Sequence, residues 1–252
     1  MSHHKIEAKH IHFSYPDGHE AINDVSFTIL HGEAVGLIGA NGAGKSTILM
    51  LLMGIVFPDA GELLIGDVHI SKKTLPMIRQ RLGMVLQNPD DQLFMTTVYE
   101  DVAFGPRNYN LDEIEVESRV MNALELVGIA NLKDRAPFRL SGGEKRAAAI
   151  ACVLSMQPDV LIMDEPTSAL DPKARRRVIN LLNTFDHTKI ITSHDLDMVM
   201  ETCKRVIIIK EGRIVADGAT AEILTNKNLL EDCGLEIPLS FQTCPICGNM
   251  KR

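Results

Sequence analysis

The chain has 252 residues, of which 45% are hydrophobic, which is enough for a buried core in one large domain or two small ones. The net charge of −7, with no Lys/Arg cluster beyond the short run at residues 174–177, argues against nucleic acid as the main partner. No segment approaches the ~20 apolar residues that span a bilayer, and the charged N-terminal segment is not a secretory signal. We therefore expect a soluble, cytosolic protein.

The first predicted elements are antiparallel strands. Apolar and polar residues alternate over residues 11–15 and again over residues 25–29, with a turn between them. Tyr15 ends the first of these strands. An exposed aromatic ring at that position can stack on a flat heterocycle, and the alternative is ordinary packing in the core or on the surface.

The segment GLIGANGAGKST, residues 36–47, follows an apolar strand and precedes an apolar helix. Its central part fits the pattern G-x-x-x-x-G-K-[ST], in which glycines let backbone N–H groups surround a polyphosphate. Lys45 adds a positive charge for the outer phosphates, and the Ser46 hydroxyl is the expected ligand of their Mg²⁺. The chain is therefore predicted to bind a nucleoside triphosphate through Gly39, Ala40, Asn41, Gly42, Ala43, Gly44, Lys45, Ser46 and Thr47.

Residues 60–70 predict a short antiparallel pair, and a further strand is predicted to end at Leu86. Gln87 follows directly, at the carboxyl edge of the sheet, where open α/β proteins bind ligands. Its neutral amide can join a Mg²⁺ shell or orient water. From Val98 to about Gln157 the apolar residues recur at helical spacing, which predicts a helical insertion.

The segment LSGGE, residues 140–144, begins an alanine-rich helix with the capping-box pair Ser141 and Glu144. Gly142 and Gly143 each cost about 1 kcal/mol in a helix relative to alanine, and a simple cap does not need them. The exposed N–H groups of a helix start beside a hydroxyl form a second phosphate-binding surface. Because Lys45 already accounts for one nucleotide, we expect this surface to face a nucleotide held by another copy.

A buried strand over residues 160–163 is predicted to deliver Asp164 and Glu165 to the same edge. Asp164 can hold Mg²⁺ through water while Glu165 orients or deprotonates the attacking water, although strand-end acids are commonly inert. A later strand, KIITS, leads to His194, which can donate a hydrogen bond to the terminal phosphate or remain a surface histidine. A hairpin at residues 205–218 and a last helix over about residues 220–230 follow.

The five cysteines of a cytosolic chain are expected to be free thiols. Cys152, Cys203 and Cys233 lie in apolar or helical patterns and are predicted to be small core residues. The pair Cys244 and Cys247 has a spacing that can hold one metal ion. A closed site needs two more ligands, so a mobile tail is the favoured alternative, and a dimer can bring two such pairs together.

The order of Tyr15, the phosphate loop, Gln87, LSGGE, LIMDE, SALD and His194 resembles that of ATP-binding cassette (ABC) proteins over residues 5–225. This resemblance implies an α/β fold, with a P-loop NTPase core on a mixed central sheet. An N-terminal antiparallel β subdomain and an inserted α-helical subdomain complete that fold. The ATP-binding domain is expected at residues 5–230, with the helical insertion at about 88–157 and a tail at 231–252.

In proteins of this family two cassettes meet head to tail and clamp two ATP molecules. The resemblance implies that Tyr15 stacks on adenine and that the loop, with Lys45, binds the phosphates. It assigns Mg²⁺ to Ser46, Gln87 and Asp164. It makes Glu165 the catalytic carboxylate, aided by His194 and Gln87, and places the partner's ATP against Ser141, Gly142 and Gly143, with Asp171 communicating across the dimer.

Three segments, FSYPDG, QNPDDQLF and VAFGPRN, resemble the ATPase subunits of energy-coupling-factor importers, especially the cobalt and nickel type. Such subunits dock on membrane scaffold and substrate-binding subunits at the cytoplasmic face of the membrane. Asp90 and Asp91 would suit a basic residue of the scaffold, and an ordinary solvated loop is an equally good explanation of this pair. Two departures are Glu144, where glutamine is commoner, and Arg146, which is followed by alanine.

Several other functions compete with that of an ion importer. A vitamin-type importer fits the same motifs. A DNA-acting ABC ATPase would have long coiled-coil segments between the phosphate loop and LSGGE, and a translation factor would repeat the cassette. An exporter often has fused membrane helices. A metal-responsive regulator would be built on the pair Cys244 and Cys247.

Overall fold

The computed structural model describes residues 5–242, so the predicted metal-binding pair Cys244 and Cys247 lies outside the described residues. The strands are β1 (Ile6–Ser14), β2 (Glu20–Ile29), β3 (Ala34–Ile38), β4 (Ala60–Ile65), β5 (Val68–His69), β6 (Leu82–Val85), β7 (Val160–Asp164), β8 (Thr188–Thr192), β9 (Arg205–Lys210) and β10 (Arg213–Ala219). The helices are α1 (Lys45–Leu52), α2 (Leu75–Arg81), α3 (Val98–Asn108), α4 (Glu113–Leu126), α5 (Gly142–Leu154), α6 (Pro172–Thr184), α7 (Leu196–Thr202), α8 (Thr220–Thr225) and α9 (Lys227–Asp232).

These elements belong to two compact units. The first is formed by Met1–Arg79 and His187–Arg252, and we call it the phosphate-loop unit. The second is formed by Gln80–Asp186, and we call it the signature unit after its LSGGE segment. Across residues 5–242, no helix combines the length and the apolar character needed to cross a membrane.

The phosphate-loop unit begins with a four-stranded antiparallel sheet in the order β2-β1-β4-β5. Along β1 the side chains of Ile6, Ala8, Ile11 and Phe13 are buried, which is the alternation of a sheet with one face toward the core. The predicted antiparallel strands at the start of the chain are therefore confirmed.

A second sheet in the same unit has the order β10-β9-β3-β8. Strand β3 lies parallel to both β8 and β9, whereas β10 pairs with β9 antiparallel, so this sheet is mixed. Every residue of β8 is buried, as are the four central residues of β9. The apolar run VIII in β9 and the pair Ile190 and Ile191 in β8 are buried because a central parallel strand is covered on both faces.

The signature unit combines one parallel strand pair with a group of helices. Strand β6 pairs with β7 from Leu82↔Val160 to Val85↔Met163. Helices α3, α4 and α5 pack against one another through fully buried side chains that include Val102, Val120, Leu124, Ala148 and Ala149. The expected α/β class with a helical region is confirmed, while the predicted domain bounds remain a prediction.

The predicted last helix over residues 220–230 is wrong in one respect, because the structure has two short helices there. Asn226 has φ −82° and ψ 88°, which ends α8. Its side-chain oxygen then accepts a hydrogen bond from the N–H of Leu229 at 3.2 Å and caps α9. An apolar periodicity that continues across the break hid it from sequence analysis.

Cys203 provides a test of the packing beneath β3. It is 4% exposed, and burial raises the pKa of its thiol to about 11. Because a neutral, buried thiol is a poor nucleophile, we expect no alkylation of Cys203 by iodoacetamide at pH 8 in the native protein and full alkylation after unfolding, measured by peptide mass spectrometry. Rapid labelling of native Cys203 would contradict this packing.

Candidate functional site

The phosphate loop leaves the end of β3 through a turn that needs glycine. Gly39 has φ +157°, and a Cβ atom at this position would lie 2.2 Å from the backbone oxygen of Ile209. The main chain of the loop therefore passes directly against β9. A side chain at residue 39 would move the loop or the strand, because backbone atoms cannot yield as a side chain does.

Lys45 is the first residue of α1 and is 8% exposed. Its Nζ donates hydrogen bonds to the backbone oxygens of Gly39, at 2.7 Å, and of Ala40, at 3.0 Å. The ammonium group is thus held at the loop formed by residues 39–44, at the start of α1, where N–H groups and the helix dipole favour an anion. Ser46 follows it and is exposed.

The side chain of Tyr15 contacts the first turn of α1. Its Oη lies 3.0 Å from Oγ1 of Thr47, a hydrogen-bond distance, and the ring is half-buried. The ring meets Phe13 edge to face at 5.0 Å and lies nearly parallel to the ring of His19 at 6.5 Å. The residue predicted to stack on a base is therefore held close to the phosphate loop, on the side of the first sheet.

Strand register brings His194 to the edge that carries the phosphate loop. Leu37 of β3 pairs with Thr192 of the parallel strand β8. Gly39 and His194 each follow two residues later, so they emerge at the same edge of the sheet. His194 is exposed, and Asp195 after it caps α7 by accepting a hydrogen bond from the N–H of Met198 at 3.0 Å. This satisfies the placement predicted for His194.

The signature unit repeats this arrangement with a second pair of residues. Val85 of β6 pairs with Met163 of β7, so Gln87 and Glu165 each lie two residues beyond the last pair. Gln87 is exposed, whereas Asp164 and Glu165 are each 8% exposed. The parallel register therefore groups all three predicted side chains at one strand edge.

Glu165 has an unusual backbone conformation. Its φ is 49°, in the left-handed region that few residues other than glycine adopt. Such strain costs on the order of 1 kcal/mol or more and persists where the surrounding structure imposes it, frequently at functional sites. The turn that follows is closed by the N–H of Ser168, which donates to the backbone oxygen of Glu165 at 3.1 Å.

The start of α5 is a complete capping box. Ser141 Oγ accepts a hydrogen bond from the N–H of Glu144, and the Glu144 carboxylate accepts from the N–H and the hydroxyl of Ser141 at 2.8 Å each. These hydrogen bonds hold the pKa of Glu144 below its usual value. The first amides of a helix have no partner within it, so those of Gly142 and Gly143 are available to a ligand.

The two glycines of this turn have different explanations. A Cβ on Gly143 would lie 2.8 Å from Cβ of Ala174, so the close approach of α6 requires a glycine there. At Gly142 nothing lies within 4 Å of such an atom, and the residue is exposed. Packing therefore explains the glycine at residue 143, contrary to expectation, and does not explain the glycine at residue 142. Asp171 caps α6 by accepting from the N–H groups of Lys173 and Ala174.

Sequence analysis missed the side chains that hold the segment after β6. Arg146 donates to the backbone oxygens of Leu86 and Gln87, although it lies in an alanine-rich helix and is 2% exposed. Asp101 accepts hydrogen bonds from the N–H groups of Phe94 and Met95 at 3.0 Å each. Burial raises the pKa of Asp101, and the two N–H donors oppose that rise. A charged residue inside an apolar helical stretch was the available signal for both.

The donor atoms of the expected Mg²⁺ ligands fit that ion. Ser46 offers a hydroxyl oxygen, Gln87 an amide oxygen and Asp164 a carboxylate, and Mg²⁺ prefers hard oxygen ligands of these kinds. Ser46 is the second residue of α1, Gln87 follows β6 by two residues, and Asp164 is the last residue of β7. The chemistry of the donors is thus compatible with a nucleotide-bound Mg²⁺.

The chain is similar to proteins of one known family. A family model described as ABC transporter matches residues 22–168. An ABC transporter ATP-binding protein of Geobacter sulfurreducens is 58% identical over 99% of this chain and 100% of its own length. The energy-coupling factor transporter ATP-binding protein EcfA of Methanothermobacter thermautotrophicus is 44% identical over 92% of this chain and 76% of its own.

A solved structure is also similar. CbiO1 of Clostridium perfringens, described as part of the ABC transporter complex CbiONQ, superposes with a TM-score of 0.81. The two sequences are 39% identical, and the match covers 90% of this chain and 93% of that one.

The close approach at Gly39 gives a matched pair of glycine substitutions. Gly39→Ala should weaken ATP binding by about tenfold or more, because its Cβ meets a backbone oxygen and displaces the loop. Gly42→Ala, which also has positive φ (+77°) but open space around it, should have the smaller effect. Titration with a fluorescent ATP analogue measures both, and equal effects of the two substitutions would refute the argument.

Proposed function

Since this chain belongs to the ABC transporter family and is an ATP-hydrolysing, ATP-binding subunit, we propose that it powers a membrane importer of the energy-coupling-factor type. The proposed cargo is a cobalt or nickel ion. The ATPase would act at the cytoplasmic face of the cell membrane as a peripheral subunit. The similarity to EcfA and to CbiO1 of CbiONQ supports this type of transporter, as do the segments 13–18, 87–94 and 102–108.

The observation that carries this proposal is that one chain has two helix starts suited to a phosphate group. One is the loop that holds the ammonium group of Lys45, and the other is the start of α5 at Ser141 and Gly142. They belong to different units and to different helix starts. We propose that two copies, or this chain and a close paralogue, join so that each ATP contacts the loop of one copy and α5 of the other.

Each predicted side chain has a defined role in this proposal. Tyr15 stacks on the adenine while its hydroxyl stays on Thr47. Lys45 and the loop amides neutralise the β- and γ-phosphates, and His194 donates a hydrogen bond to the γ-phosphate. The N–H groups of Gly142 and Gly143 bind the γ-phosphate of the partner's ATP, and the Ser141 hydroxyl joins them by turning its proton from the Glu144 carboxylate to a phosphate oxygen.

Glu165 is the proposed general base. Its carboxylate accepts a proton from the attacking water as the water oxygen bonds to the γ-phosphorus and the bond to the leaving ADP oxygen breaks. Bound Mg²⁺, held by Ser46, Gln87 and Asp164, would offset the negative charge of the phosphates. The strained backbone of Glu165 supports its role, because a fixed base needs no reorganisation during the reaction.

An exposed aromatic pair supports a protein partner for the signature unit. Phe94 is 64% exposed and Phe104 is 40% exposed, and their rings meet edge to face at 5.0 Å. The Asp101 carboxylate accepts a hydrogen bond from the backbone N–H of Phe94. The acidic residue Asp91, three positions before Phe94, is exposed. A rigid, exposed aromatic pair beside acidic residues suits a membrane-scaffold helix with an apolar face and a basic residue.

The roles of Lys45 and Glu165 can be separated by measurement. Glu165→Gln should bind ATP within about threefold of wild type and hydrolyse it at least about 100-fold more slowly, because it removes a base and leaves the phosphate contacts. Lys45→Ala should instead weaken ATP binding itself by about tenfold or more. ATP titration and phosphate release measure the two effects. Normal turnover by Glu165→Gln would disprove the assigned base.

The aromatic pair can be tested in native membranes. Phe94→Ala should reduce co-purification of the tagged chain with its multi-span membrane partners several-fold, because the exposed ring is lost. The ATPase rate of the isolated chain should not change. Ile114→Ala, at a residue that is 84% exposed on α4, is the control and should co-purify normally. Identical recovery of the Phe94 and wild-type complexes would exclude this surface as the docking site.

A further inference from the structure

We propose that Arg146 is a positioning residue that fastens the backbone of Gln87 to the helix bearing Ser141 and Gly142. The inference rests on the proposed role of Gln87 and concerns how that side chain is placed. Arg146 lies on the second turn of α5, the helix whose start forms the second phosphate-binding surface. A link from this helix to Gln87 therefore joins, within one signature unit, residues that serve the two different ATP sites of the proposed dimer.

The contacts of Arg146 are directed at one short stretch of backbone. Nη1 donates to the backbone oxygen of Leu86 at 2.7 Å, and Nη2 donates to that of Gln87. The pairing of β6 with β7 ends one residue before Leu86, at Val85. The guanidinium group thus binds the backbone directly after the last β6–β7 pair. Its planar arrangement of N–H donors holds two consecutive carbonyl groups.

A second side chain completes the attachment. Gln92 accepts a hydrogen bond from the N–H of Leu86 at 3.2 Å and donates to the backbone oxygen of Ala149 at 2.7 Å. Both backbone groups of Leu86 are therefore bound by side chains that connect it to α5. At the surface, Lys145 and Asp90 form an ion pair at 2.6 Å between the same helix and the same segment.

The energetics indicate that Arg146 is retained for position. Burial of a guanidinium group opposite neutral carbonyl oxygens is costly, and burial lowers the pKa of Arg146 while the charge of Asp164 opposes that change. Apolar side chains of similar volume often replace a whole buried ion pair with little loss of stability, whereas replacement of Arg146 alone would leave the oxygens of Leu86 and Gln87 without these donors. What such a replacement cannot provide is the pair of hydrogen bonds that sets the backbone of Gln87.

The functional consequence is that α5 and Gln87 move as one body. When α5 approaches a nucleotide on the partner copy, the attached carbonyl groups carry Gln87 with it. The Gln87 side chain is exposed, so its movement with α5 does not depend on packing of the side chain itself. Loss of Arg146 should therefore lower the rate of hydrolysis and leave ATP binding by the phosphate loop almost unchanged, because that loop belongs to the other unit.

The experiment is a double-mutant cycle in the full chain, with R146M, Q87A and the pair, measured by kcat and KM for ATP hydrolysis. R146M should lower kcat about tenfold and change KM less than about twofold. The double variant should match Q87A within about twofold, because Arg146 acts through Gln87. R146K, which keeps the charge and can still donate to a carbonyl, should recover part of kcat and takes the place of R146M in the cycle if R146M does not fold.

R119M is the matched control, because Arg119 is a partly buried arginine of the same unit that pairs with Glu115 on α4. Its kcat should equal that of wild type. An impaired Q87A combined with a wild-type kcat for R146M, or with losses that simply multiply in the double variant, overturns the inference and leaves the proposed function standing. A wild-type kcat for Q87A itself overturns the role of Gln87 and the inference with it.

Discussion

Two hydrogen bonds from the buried ammonium group of Lys45, to the backbone oxygens of Gly39 and Ala40, hold the loop on which the nucleotide chemistry depends. They are possible because β3 is a central parallel strand and because Gly39 lets the chain turn against β9. The register of the neighbouring strand then brings His194 to the same edge. The sheet therefore serves to place a few backbone and side-chain groups accurately around a polyphosphate.

Much of this arrangement can be predicted from sequence, because it depends on local patterns. Apolar runs locate the strands, and the residue after each run, such as Gln87 or Glu165, must lie at the strand edge. Contacts between distant segments leave no such local pattern. The link from Arg146 to Gln87 joins residues 59 positions apart, and the need for glycine at residue 143 arises only because α6 packs there. The role of Asn226 as the cap of α9 likewise becomes visible only in the structure.

The proposed site residues are distributed over the two units. Lys45 and the loop proposed to bind ATP belong to the phosphate-loop unit, whereas Glu165, Gln87 and the start of α5 belong to the signature unit. The hydrogen bonds of Arg146 connect the last two, and we propose that through them binding at α5 is transmitted to the residue proposed to reach Mg²⁺. The aromatic pair at Phe94 and Phe104 belongs to the same unit, which relates nucleotide binding to a surface suited to a membrane partner.

The central claim is that each reaction centre is shared by two copies, and mixing two defective variants tests it most directly. Lys45→Ala impairs the loop, and Ser141→Arg blocks the start of α5. Each purified variant should be nearly inactive, whereas an equimolar mixture should recover up to about a quarter of the wild-type ATPase rate, because half of the dimers contain one intact site of two. Full activity of Ser141→Arg by itself, or a mixture that stays as inactive as its components, would contradict the shared site.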